Sequence, residues 1–496
     1  MHKKNTSNLS SLLDSANRFS AQGNHLQAIS CLEKAVAISN DASSLLELAR
    51  LYKATGQGEK ALFCFNLALK NDDMTGAFQL NCANIAFSLG SPEKAIEHLK
   101  CAVLRDKNLE IPAKAIEVSI KESTGLIDEA FSEAANLIDS GHRCQEILWA
   151  YSRIISQHNK FSEHTSKAIE AIKESIHNGE ISKDFMPSFY FRLSELHQRN
   201  QNYEDAFNAA KAGHHLKTGH YDEPRQLSLF NHVEEAWQEK DTTKHEPVKN
   251  KRKFLFVVGM PRSGSTLVEQ ILASNDNSIT LGESHIFSEV TCQVLPNPQD
   301  LGRIGARILS TEEIAKIKSR FTQAIFRKQK PKEFVIDKTL INKFHIGQIL
   351  QSIPGAKIIW ARRDPRDVCM SCYLNDFSGA LPYRHDLKTL ARYHNRTEEL
   401  MKFWIKKHPE SIYELHYEEL IKNTEEYIKR LVDFCQMPWT DQFLSFHQNK
   451  RLVQTVSYNQ VRKPIYSSSI HRWKNFSSQI GPLLESLEID PYYQQR

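Results

Sequence analysis

The stretch Phe254-Leu-Phe-Val-Val258, followed by Gly259-Met-Pro-Arg-Ser-Gly-Ser-Thr266, decides the fold expected for the second half of the chain. Its first five residues are apolar and β-favouring, which is typical of a strand buried in a parallel sheet. The glycine-containing turn is followed by an amphipathic helix over residues 267–273. Where a strand, a turn and a helix follow one another in this way, backbone N–H groups and the helix N-terminus can bind an oxyanion. A tight turn without a ligand is the alternative.

The turn has the glycine spacing of a Walker A loop, but it lacks the lysine that this motif requires. Ser265 follows the second glycine, Gly264, and the cation of the turn is instead Arg262. Because the Walker lysine neutralises the β- and γ-phosphates of ATP, its absence argues against ATP hydrolysis. The turn is therefore expected to bind an anion, but it is poorly matched to ATP hydrolysis.

Two further strands are predicted downstream, and each ends in charged residues. Residues 334–336 lead into Lys338. Residues 356–360 lead into Arg363. Strands that alternate with helices indicate a C-terminal α/β domain of P-loop type with a mainly parallel sheet. Because ligands bind beyond the carboxyl ends of such strands, Arg262, Lys338 and Arg363 are expected to converge on one ligand with at least two anionic groups.

The first half of the chain repeats itself with a period of 33 to 34 residues. Five positions recur in three copies at fixed offsets, and they hold small residues, a glycine or a large apolar residue. The copies are Ala16, Gly23, Ala28, Leu32 and Ala35; Ala49, Gly56, Ala61, Phe65 and Ala68; and Ala83, Gly90, Ala95, Leu99 and Ala102. Small residues let two helices cross closely, the glycine ends the first helix, and the large residues fill the layer between hairpins.

This pattern resembles the tetratricopeptide repeat (TPR), and the resemblance covers roughly residues 9–215. Two looser copies begin at Val118 and Ser194, with Gln201 at the glycine position of the second. The resemblance implies an N-terminal all-α TPR-like solenoid. Such a solenoid either serves as a scaffold for its own C-terminal domain or presents a concave surface to a protein or peptide.

The composition is that of a folded globular protein and excludes several function classes. The 496 residues allow about two to four domains. The net charge of +5 is too small to indicate binding to nucleic acid or to an anionic membrane. Nine scattered Cys indicate a reducing compartment, and Cys369 with Cys372 lacks the second pair of a zinc site. Without a long apolar run or the apolar region of a signal peptide, we expect a cytoplasmic location.

Four separated segments of the second half resemble, in the same order, the motifs of sulfotransferases that use 3′-phosphoadenylyl sulfate (PAPS). The turn at 259–266 resembles their 5′-phosphosulfate loop. Arg363 with Ser371 eight residues later resembles their 3′-phosphate site. Leu415-His-Tyr-Glu-Glu-Leu420 and Ser457-Tyr-Asn-Gln-Val-Arg-Lys463 resemble two segments of the tyrosylprotein sulfotransferases. Together with the repeats, the chain is similar to a TPR-containing PAPS-dependent sulfotransferase.

The resemblance implies a role for each residue that matches a motif. The 5′-phosphate would lie on the loop formed by Arg262, Ser263, Gly264, Ser265 and Thr266. The remaining nucleotide contacts would come from Arg363, Ser371, Tyr417, Ser457 and Lys463. Lys338, with Arg262, would neutralise charge that develops during transfer. Trp473 would stack on a ring or belong to the core.

The resemblance also implies a general base, which would follow the loop by about twenty residues at the end of the next strand. Glu283 is the first candidate and His285 the second. The tyrosylprotein enzymes have two adjacent acidic residues here, whereas this chain has Glu283 followed by Ser284. A second departure is Asn375, where those enzymes place a nucleotide-binding Arg. No metal is expected, because no His, Cys or Asp cluster has ligand spacing.

The expected reaction is transfer of a sulfuryl group from PAPS to an acceptor hydroxyl, with tyrosine of a protein or peptide recruited by the repeats as one acceptor. Glycans and small phenols also remain open. A P-loop nucleotide kinase or NTPase is one alternative, and a catalytically inactive TPR interaction protein is another. The polar stretch 234–252 is expected to link a repeat domain over 9–233 to a sulfotransferase domain over 253–490.

Overall fold

The computed structural model describes residues 2–21, 25–55, 57–70, 75–217, 221–239, 252–295, 305–327, 332–377, 381–448 and 469–494. The chain forms two compact units. The first comprises Met1–Gly219 with Asp376–Ala380, and the second comprises His220–Asn375 with Leu381–Arg496. Each unit has its own hydrophobic core.

The first unit is built from α-helices. In chain order they are α1 (His2–Ala21), α2 (His25–Ser39), α3 (Ala42–Ala54), α4 (Gly58–Ala68), α5 (Gly76–Ser88), α6 (Pro92–Arg105), α7 (Glu110–Ser123), α8 (Ile127–Asp139), α9 (Gln145–Gln157), α10 (Thr165–His177), α11 (Met186–Arg199) and α12 (Tyr203–Leu216). Short 3-10 helices cover Lys107–Leu109 and Asn159–His164.

Consecutive helices of this unit pack as hairpins, as the period predicts: α1 with α2, α3 with α4, α5 with α6, α7 with α8, and α11 with α12. Each small residue of the three regular copies is at most 2% exposed, namely Ala16, Ala28, Ala35, Ala49, Ala61, Ala68, Ala83, Ala95 and Ala102. Leu32, Phe65 and Leu99 lie in the same core. Because protein interiors are close-packed, a larger side chain at any alanine position would force the paired helices apart. The predicted all-α repeat architecture is confirmed.

The turns between paired helices use left-handed backbone, which explains the glycine of the repeat. φ is +80° at Gly90 and +92° at Gly125, where α5 and α7 have ended. Gln201 has φ +60° after α11, so this looser copy makes the same kind of turn without glycine. A non-glycine residue in this region costs about 1 kcal/mol, which the packing of the flanking helices offsets. Gly23 and Gly56 lie outside the described residues.

The second unit contains a sheet and helices. The strands are β1 (Lys253–Gly259), β2 (Ser278–Thr280), β3 (Phe334–Asp337), β4 (Lys357–Arg362) and β5 (Ile412–His416). The helices are α13 (Glu223–Gln238), α14 (Ser265–Ala273), α15 (Ile286–Val294), α16 (Thr311–Phe326), α17 (Ile346–Ser352), α18 (Pro365–Leu374), α19 (Leu387–Lys407), α20 (Tyr417–Lys422), α21 (Thr424–Phe434), α22 (Gly481–Leu484) and α23 (Pro491–Gln494). Short 3-10 helices cover Leu340–Phe344, Pro382–Arg384, Asp441–Phe443, Phe446–Gln448 and Arg472–Phe476. None of the helices in the described ranges combines the length and the hydrophobicity that a membrane span requires.

The five strands form one sheet in the order β2-β3-β1-β4-β5, and every pairing is parallel. The predicted α/β fold with a mainly parallel sheet is therefore confirmed. β1 is central, with β3 on one side and β4 on the other. Because the chain order reverses at β1, the carboxyl ends of these three strands border the crevice in which such sheets bind ligands.

Both faces of the central strand are covered, which explains its continuous apolar run. Leu255 and Val257 belong to a core that includes residues of α14 and α21. Phe256 contacts Phe287 and Phe321, with ring centres 6.3 and 6.2 Å apart respectively. Helices therefore lie against the sheet on two sides, and the end of β1 is a fixed platform for the turn that follows it.

Helix α13 belongs to the second unit, although the sequence analysis places residues up to 233 with the repeats. Trp237 of this helix is fully buried, and its indole N–H donates to the Gly305 carbonyl oxygen at 2.9 Å. A Cβ on Gly347 would lie 2.5 Å from the Trp237 ring, so the two residues are in close contact. The charged residues around Trp237 give the segment the composition of a linker, while its tryptophan packs like a core residue.

Candidate active site

The turn between β1 and α14 has a backbone that favours glycine. φ is +146° at Gly259, +69° at Arg262 and +94° at Gly264. A Cβ on Gly264 would lie 2.6 Å from the Tyr417 ring, so close approach requires glycine there as well. α14 begins at Ser265. The first turn of an α-helix presents N–H groups that have no acceptor within the helix, which makes this position suitable for an anion.

Arg262 joins this turn to the element that follows β4. Its Nε donates to the Ser371 hydroxyl on α18 at 2.8 Å. Arg363 directly follows β4, and its Nη1 donates to the Arg262 carbonyl oxygen at 3.3 Å. The structure thus brings Arg262 together with two predicted site residues that follow it by about a hundred positions in the sequence.

Arg363 is buried and only partly satisfied by its neighbours. Its Nη2 lies 3.4 Å from the Asp367 carboxylate and donates to the Ser469 carbonyl oxygen. The centre of the Tyr417 ring is 5.1 Å from its guanidinium carbon. Its Nε is buried and has no hydrogen-bond partner among the described residues. We call Arg262, Arg363, Ser371 and Tyr417 the arginine cluster.

Tyr417 contacts both the turn and the C-terminal segment of the unit. Its ring lies against Gly264, and its hydroxyl is 2.8 Å from the Ser469 hydroxyl. The segment that follows Ser469 is anchored to α18, because the backbone N–H groups of His471 and Trp473 donate to the Asp367 carboxylate at 2.8 and 2.9 Å. Tyr417 therefore lies between the predicted phosphate loop and the residues that follow 468.

Lys338 lies at the end of β3, and two carboxylates share its ammonium group. Its side chain is 1% exposed. Nζ is 2.6 Å from Oε1 of Glu283 and 3.9 Å from Oε2 of Glu269. Glu283 is 50% exposed, whereas Glu269 is 4% exposed. We call Glu269, Glu283 and Lys338 the lysine cluster, and it combines the predicted cation and the first-choice base.

Asp337 immediately precedes Lys338 and is buried. Its Oδ1 accepts the Thr339 N–H at 2.9 Å and the Asn342 amide at 3.2 Å, and its Oδ2 lies 3.4 Å from the Ser284 hydroxyl. Burial raises the pKa of Asp337 to about 6, although these hydrogen bonds oppose the shift. The carboxylate fixes the backbone after β3, and with it the position from which Lys338 projects.

His285 is exposed and has left-handed backbone, with φ +54°. Its N–H lies 3.4 Å from the Thr339 hydroxyl. Partial desolvation by surrounding atoms lowers the pKa of its imidazole, and the nearby Glu283 acts in the opposite direction. In the described part of the chain, Lys338 is contacted by Glu283 and Glu269, and no such contact is seen from His285.

Some predicted residues lie elsewhere or cannot be placed. Ser457 and Lys463 lie outside the described residues. The Asn375 amide donates to the Ser371 carbonyl oxygen at 2.9 Å and thus binds the end of α18. The guanidinium carbon of Arg366 lies 4.3 Å from the centre of the Trp473 ring, so this tryptophan is stacked on a side chain of its own domain.

Two residues of the site escape the sequence analysis. Glu269 is the one charged residue of the apolar helix at 267–273, and that isolation was an available signal. Asp367 binds backbone N–H groups that are more than a hundred residues away, and nothing in its local sequence indicates this partner.

The CxxC pair does not have the properties of a reactive site. Cys369 and Cys372 are both buried free thiols. Burial raises the pKa of Cys372 to about 12, which disfavours the reactive thiolate form. Within the described ranges, no group of three or more His, Cys, Asp or Glu side chains is arranged to hold a metal ion.

Comparison with known proteins defines the class of both halves. Residues 255–441 match the model of the sulfotransferase family, and residues 42–73 match a tetratricopeptide-repeat model. The chain therefore carries a sulfotransferase-family domain and a tetratricopeptide repeat, and the resemblance stated from the motifs is confirmed at this level.

Several individual proteins are similar to parts of this chain. An uncharacterized protein of Aquifex aeolicus is 27% identical over 415 residues, which cover 79% of this chain and 54% of that protein, so the match extends over just over half of the relative's length. Protein-tyrosine sulfotransferase 1 of Danio rerio is 22% identical over 262 residues, covering 48% of this chain and 73% of the relative. Among solved structures, the sulfotransferase domain from the curacin biosynthetic pathway is 18% identical, covers 49% of this chain and 95% of its own, and has a TM-score of 0.32.

Proposed function

We propose that the second unit transfers a sulfuryl group from PAPS to an acceptor hydroxyl. The observation that carries this proposal is the arginine cluster, in which Arg363 and Ser371 contact Arg262 of the glycine turn. A nucleotide with one phosphate group needs only the turn. A second cationic position beside it fits a nucleotide that carries a further phosphate, and PAPS has one on its 3′ oxygen.

The residues present fit such a ligand. The buried Nε of Arg363 and the buried hydroxyl of Ser263 have no hydrogen-bond partner among the described residues, and both are suited to phosphate oxygens. Residues 262–266, with the N-terminus of α14, would hold the 5′-phosphate. Arg363 and Ser371 would hold the 3′-phosphate, and Tyr417 would contact the nucleotide. Ser457 and Lys463 keep the nucleotide-binding role that the sequence analysis gives them as part of this proposal.

PAPS would supply a sulfuryl group attached to a phosphate oxygen that leaves readily. Glu283 would take the proton of the acceptor hydroxyl as the bond from the acceptor oxygen to sulfur forms. The bond from sulfur to the 5′-phosphate oxygen breaks, and that oxygen keeps the electron pair. Lys338 and Arg262 would neutralise the charge that develops on the transferring and leaving oxygens. His285 is the second candidate for the base.

The acceptor and its recruitment are further parts of the proposal. The relative named a protein-tyrosine sulfotransferase makes a protein tyrosine one candidate acceptor, and the tetratricopeptide repeat supports recruitment of a protein or peptide. The domain ranges 9–233, 234–252 and 253–490 also remain proposals, and the buried Trp237 favours assigning α13 to the sulfotransferase domain. The cytoplasmic location stays a prediction.

The two alternatives are less well supported. In a P-loop kinase or NTPase the arginine cluster would have no function. Such an enzyme also needs a lysine where this chain has Ser265. A catalytically inactive interaction protein gives no reason for a half-exposed carboxylate held against a buried lysine, as Glu283 is against Lys338.

Replacement of the base tests the proposal. Glu283→Gln keeps the shape of the side chain but cannot take a proton efficiently, so kcat for transfer of labelled sulfate from PAPS should fall about 10²- to 10⁴-fold. Binding of the product nucleotide should change little, because Glu283 is assigned to the acceptor side. The matched control is Glu425→Gln on the exposed face of α21, which should keep full activity.

The same assay distinguishes the two candidate bases. If Glu283→Gln keeps full turnover and His285→Ala loses it, then the base is His285. If neither the unmodified protein nor any variant transfers sulfate to an extract of host proteins, glycans and small molecules, the proposed reaction is wrong.

A further inference from the structure

Glu269 lies in an unusual position for a charged residue. It is in the second turn of α14, the helix that begins at the predicted phosphate loop, and its side chain is 4% exposed. Its neighbours Val268, Ile271 and Leu272 are fully buried apolar residues. A buried carboxylate is costly unless a cation or hydrogen-bond donors compensate it. The contacts of Glu269 therefore indicate which groups compensate its buried charge.

Those contacts connect three elements at one end of the sheet. Oε1 accepts a hydrogen bond from the Thr280 hydroxyl at the end of β2. Oε2 lies 3.9 Å from Nζ of Lys338, which follows β3. Thr280 thus holds one oxygen of the Glu269 carboxylate, and the other oxygen faces the ammonium group of Lys338.

The two carboxylates of the lysine cluster have unequal surroundings. Glu283 is half exposed and can be reached by an acceptor, whereas Glu269 is enclosed. If Glu283 takes the acceptor's proton, it loses its negative charge while transfer is under way. Lys338, which is 1% exposed, would then have lost its nearer counter-charge. Glu269 remains as the buried carboxylate that holds the ammonium group in place.

We propose that Glu269 is a positioning residue of the sulfuryl transfer and acts through Lys338. This inference rests on the proposed function. Glu269 stabilises the charged ammonium group independently of the protonation of Glu283, so Lys338 stays available to the transferring group throughout the reaction. A purely structural role, in which Glu269 only ties α14 to β2 through Thr280, is the competing explanation.

The first test measures Lys338 directly and does not need catalytic activity. The full-length protein and its Glu269→Gln variant are treated with limiting acetic anhydride, and acetylation of Lys338 is measured by mass spectrometry relative to the exposed Lys388. Glu269→Gln leaves the Lys338 ammonium group with one ion-pair partner instead of two, so its acetylation should rise about fivefold or more. Thr280→Val removes the hydrogen bond but keeps the charge, and it should leave acetylation close to that of the unmodified protein. Equal rates in the unmodified protein and Glu269→Gln overturn the proposal.

The second test separates positioning from folding by kinetics. Glu269→Gln should lower kcat about tenfold or more, with the KM for PAPS and the affinity for the product nucleotide changed less than about twofold. Glu269→Asp keeps the charge and should recover part of the lost kcat. If Glu269→Asp is as slow as Glu269→Gln, or if Thr280→Val is as harmful as either, the structural explanation is correct instead.

The two proposals fail in different ways. If the unmodified protein transfers sulfate and Glu269→Gln has the same kcat, the role of Glu269 is wrong and the proposed function stands. If the unmodified protein neither transfers sulfate nor binds the product nucleotide, the proposed function fails, and so does a role in that reaction, even when acetylation of Lys338 rises in Glu269→Gln.

Discussion

The two units place their charges in different ways. In the helical unit, ion pairs such as Lys160 with Asp128 and Arg143 with Glu174 join neighbouring segments at the surface, with every partner at least 38% exposed. In the α/β unit, Lys338 is 1% exposed and Arg362 is 5% exposed. Surface pairs contribute little stability, whereas a buried charge is costly unless its partners are well placed. Buried charge is therefore where function or fold specificity is to be expected; the helical unit has an example in Arg192, and in the α/β unit both Lys338 and Arg362 lie at the carboxyl ends of strands.

Buried charge within the α/β unit itself has two kinds of surroundings. Arg362, the last residue of β4, is enclosed by Glu398, Glu414 and Asp490. Arg363, the next residue, contacts one carboxylate, that of Asp367, and two backbone carbonyl oxygens, while the buried Nε of each arginine lacks a hydrogen-bond partner among the described residues. Three carboxylates thus compensate Arg362 and one compensates Arg363, so Arg363 has more capacity to bind an anion. This difference distinguishes a structural charge from a candidate ligand-binding one.

The largest stability effect is expected at Arg362. Arg362→Met keeps much of the side-chain volume but leaves three partly buried carboxylates without their shared cation, so unfolding free energy should fall by about 3 kcal/mol or more. Five of the six Trp belong to the α/β unit, so denaturant unfolding followed by tryptophan fluorescence reports on it. Arg430→Met, which alters an exposed pair on α21, is the matched control and should change little. Equal stability of the two variants would contradict the distinction between buried and surface charge.

A smaller effect, with a characteristic pH dependence, is expected at Asp337. Because burial raises its pKa to about 6, from 3.8 in the unfolded chain, the folded state binds the extra proton between these values. Its contribution to stability is therefore present at low pH and is lost as the pH rises through about 6, by at most about 3 kcal/mol. Asp337→Asn keeps an acceptor for Thr339 and Asn342 and should remove this slope. Denaturant unfolding at a series of pH values from 4 to 7 measures it, and an unchanged slope in the variant would show that Asp337 does not carry the effect.

The smallest effect is expected in the helical unit. Lys160→Ala removes a surface ion pair with Asp128. The two side chains of this pair are 46% and 80% exposed. The unfolding free energy should change by less than about 1 kcal/mol, and added salt should make little further difference. Far-ultraviolet circular dichroism during denaturation follows the helices of both units, and the tryptophan fluorescence that reports on the α/β unit should not change. A loss comparable with that of Arg362→Met would mean that exposure does not separate the two kinds of ion pair.

Much of the fold could be predicted because its signals are local or strictly periodic. The recurring alanines fixed the helix hairpins, and the apolar run at 254–258 fixed the central strand. Gln201 shows the limit of such patterns, since it makes the same left-handed turn as the glycines that it replaces. Trp237 shows a second limit, because its burial depends on Gly347 and Gly305, which are far away in the sequence.

The candidate site was predicted in part, for a related reason. Arg262, Lys338 and Arg363 could be named because parallel topology brings the ends of neighbouring strands together, whatever lies between them in the chain. The contact of Glu283 with Lys338 follows from the same topology. Glu269 and Asp367 could not be assigned in this way, because their partners depend on how α14 and α18 pack and not on where strands end.

Nucleotide binding tests the central claim most directly. The claim is that the arginine cluster, together with the glycine turn, recognises a nucleotide with a 3′-phosphate. Isothermal titration of the full-length protein with the product of PAPS, adenosine 3′,5′-bisphosphate, should show binding at least about tenfold tighter than that of ATP. Arg363→Ala should weaken binding of the bisphosphate about 10- to 100-fold, as expected for loss of a charged hydrogen-bonding partner, and should leave the weak ATP binding unchanged. Tighter binding of ATP than of the bisphosphate, or a bisphosphate affinity unaffected by Arg363→Ala, would contradict the account.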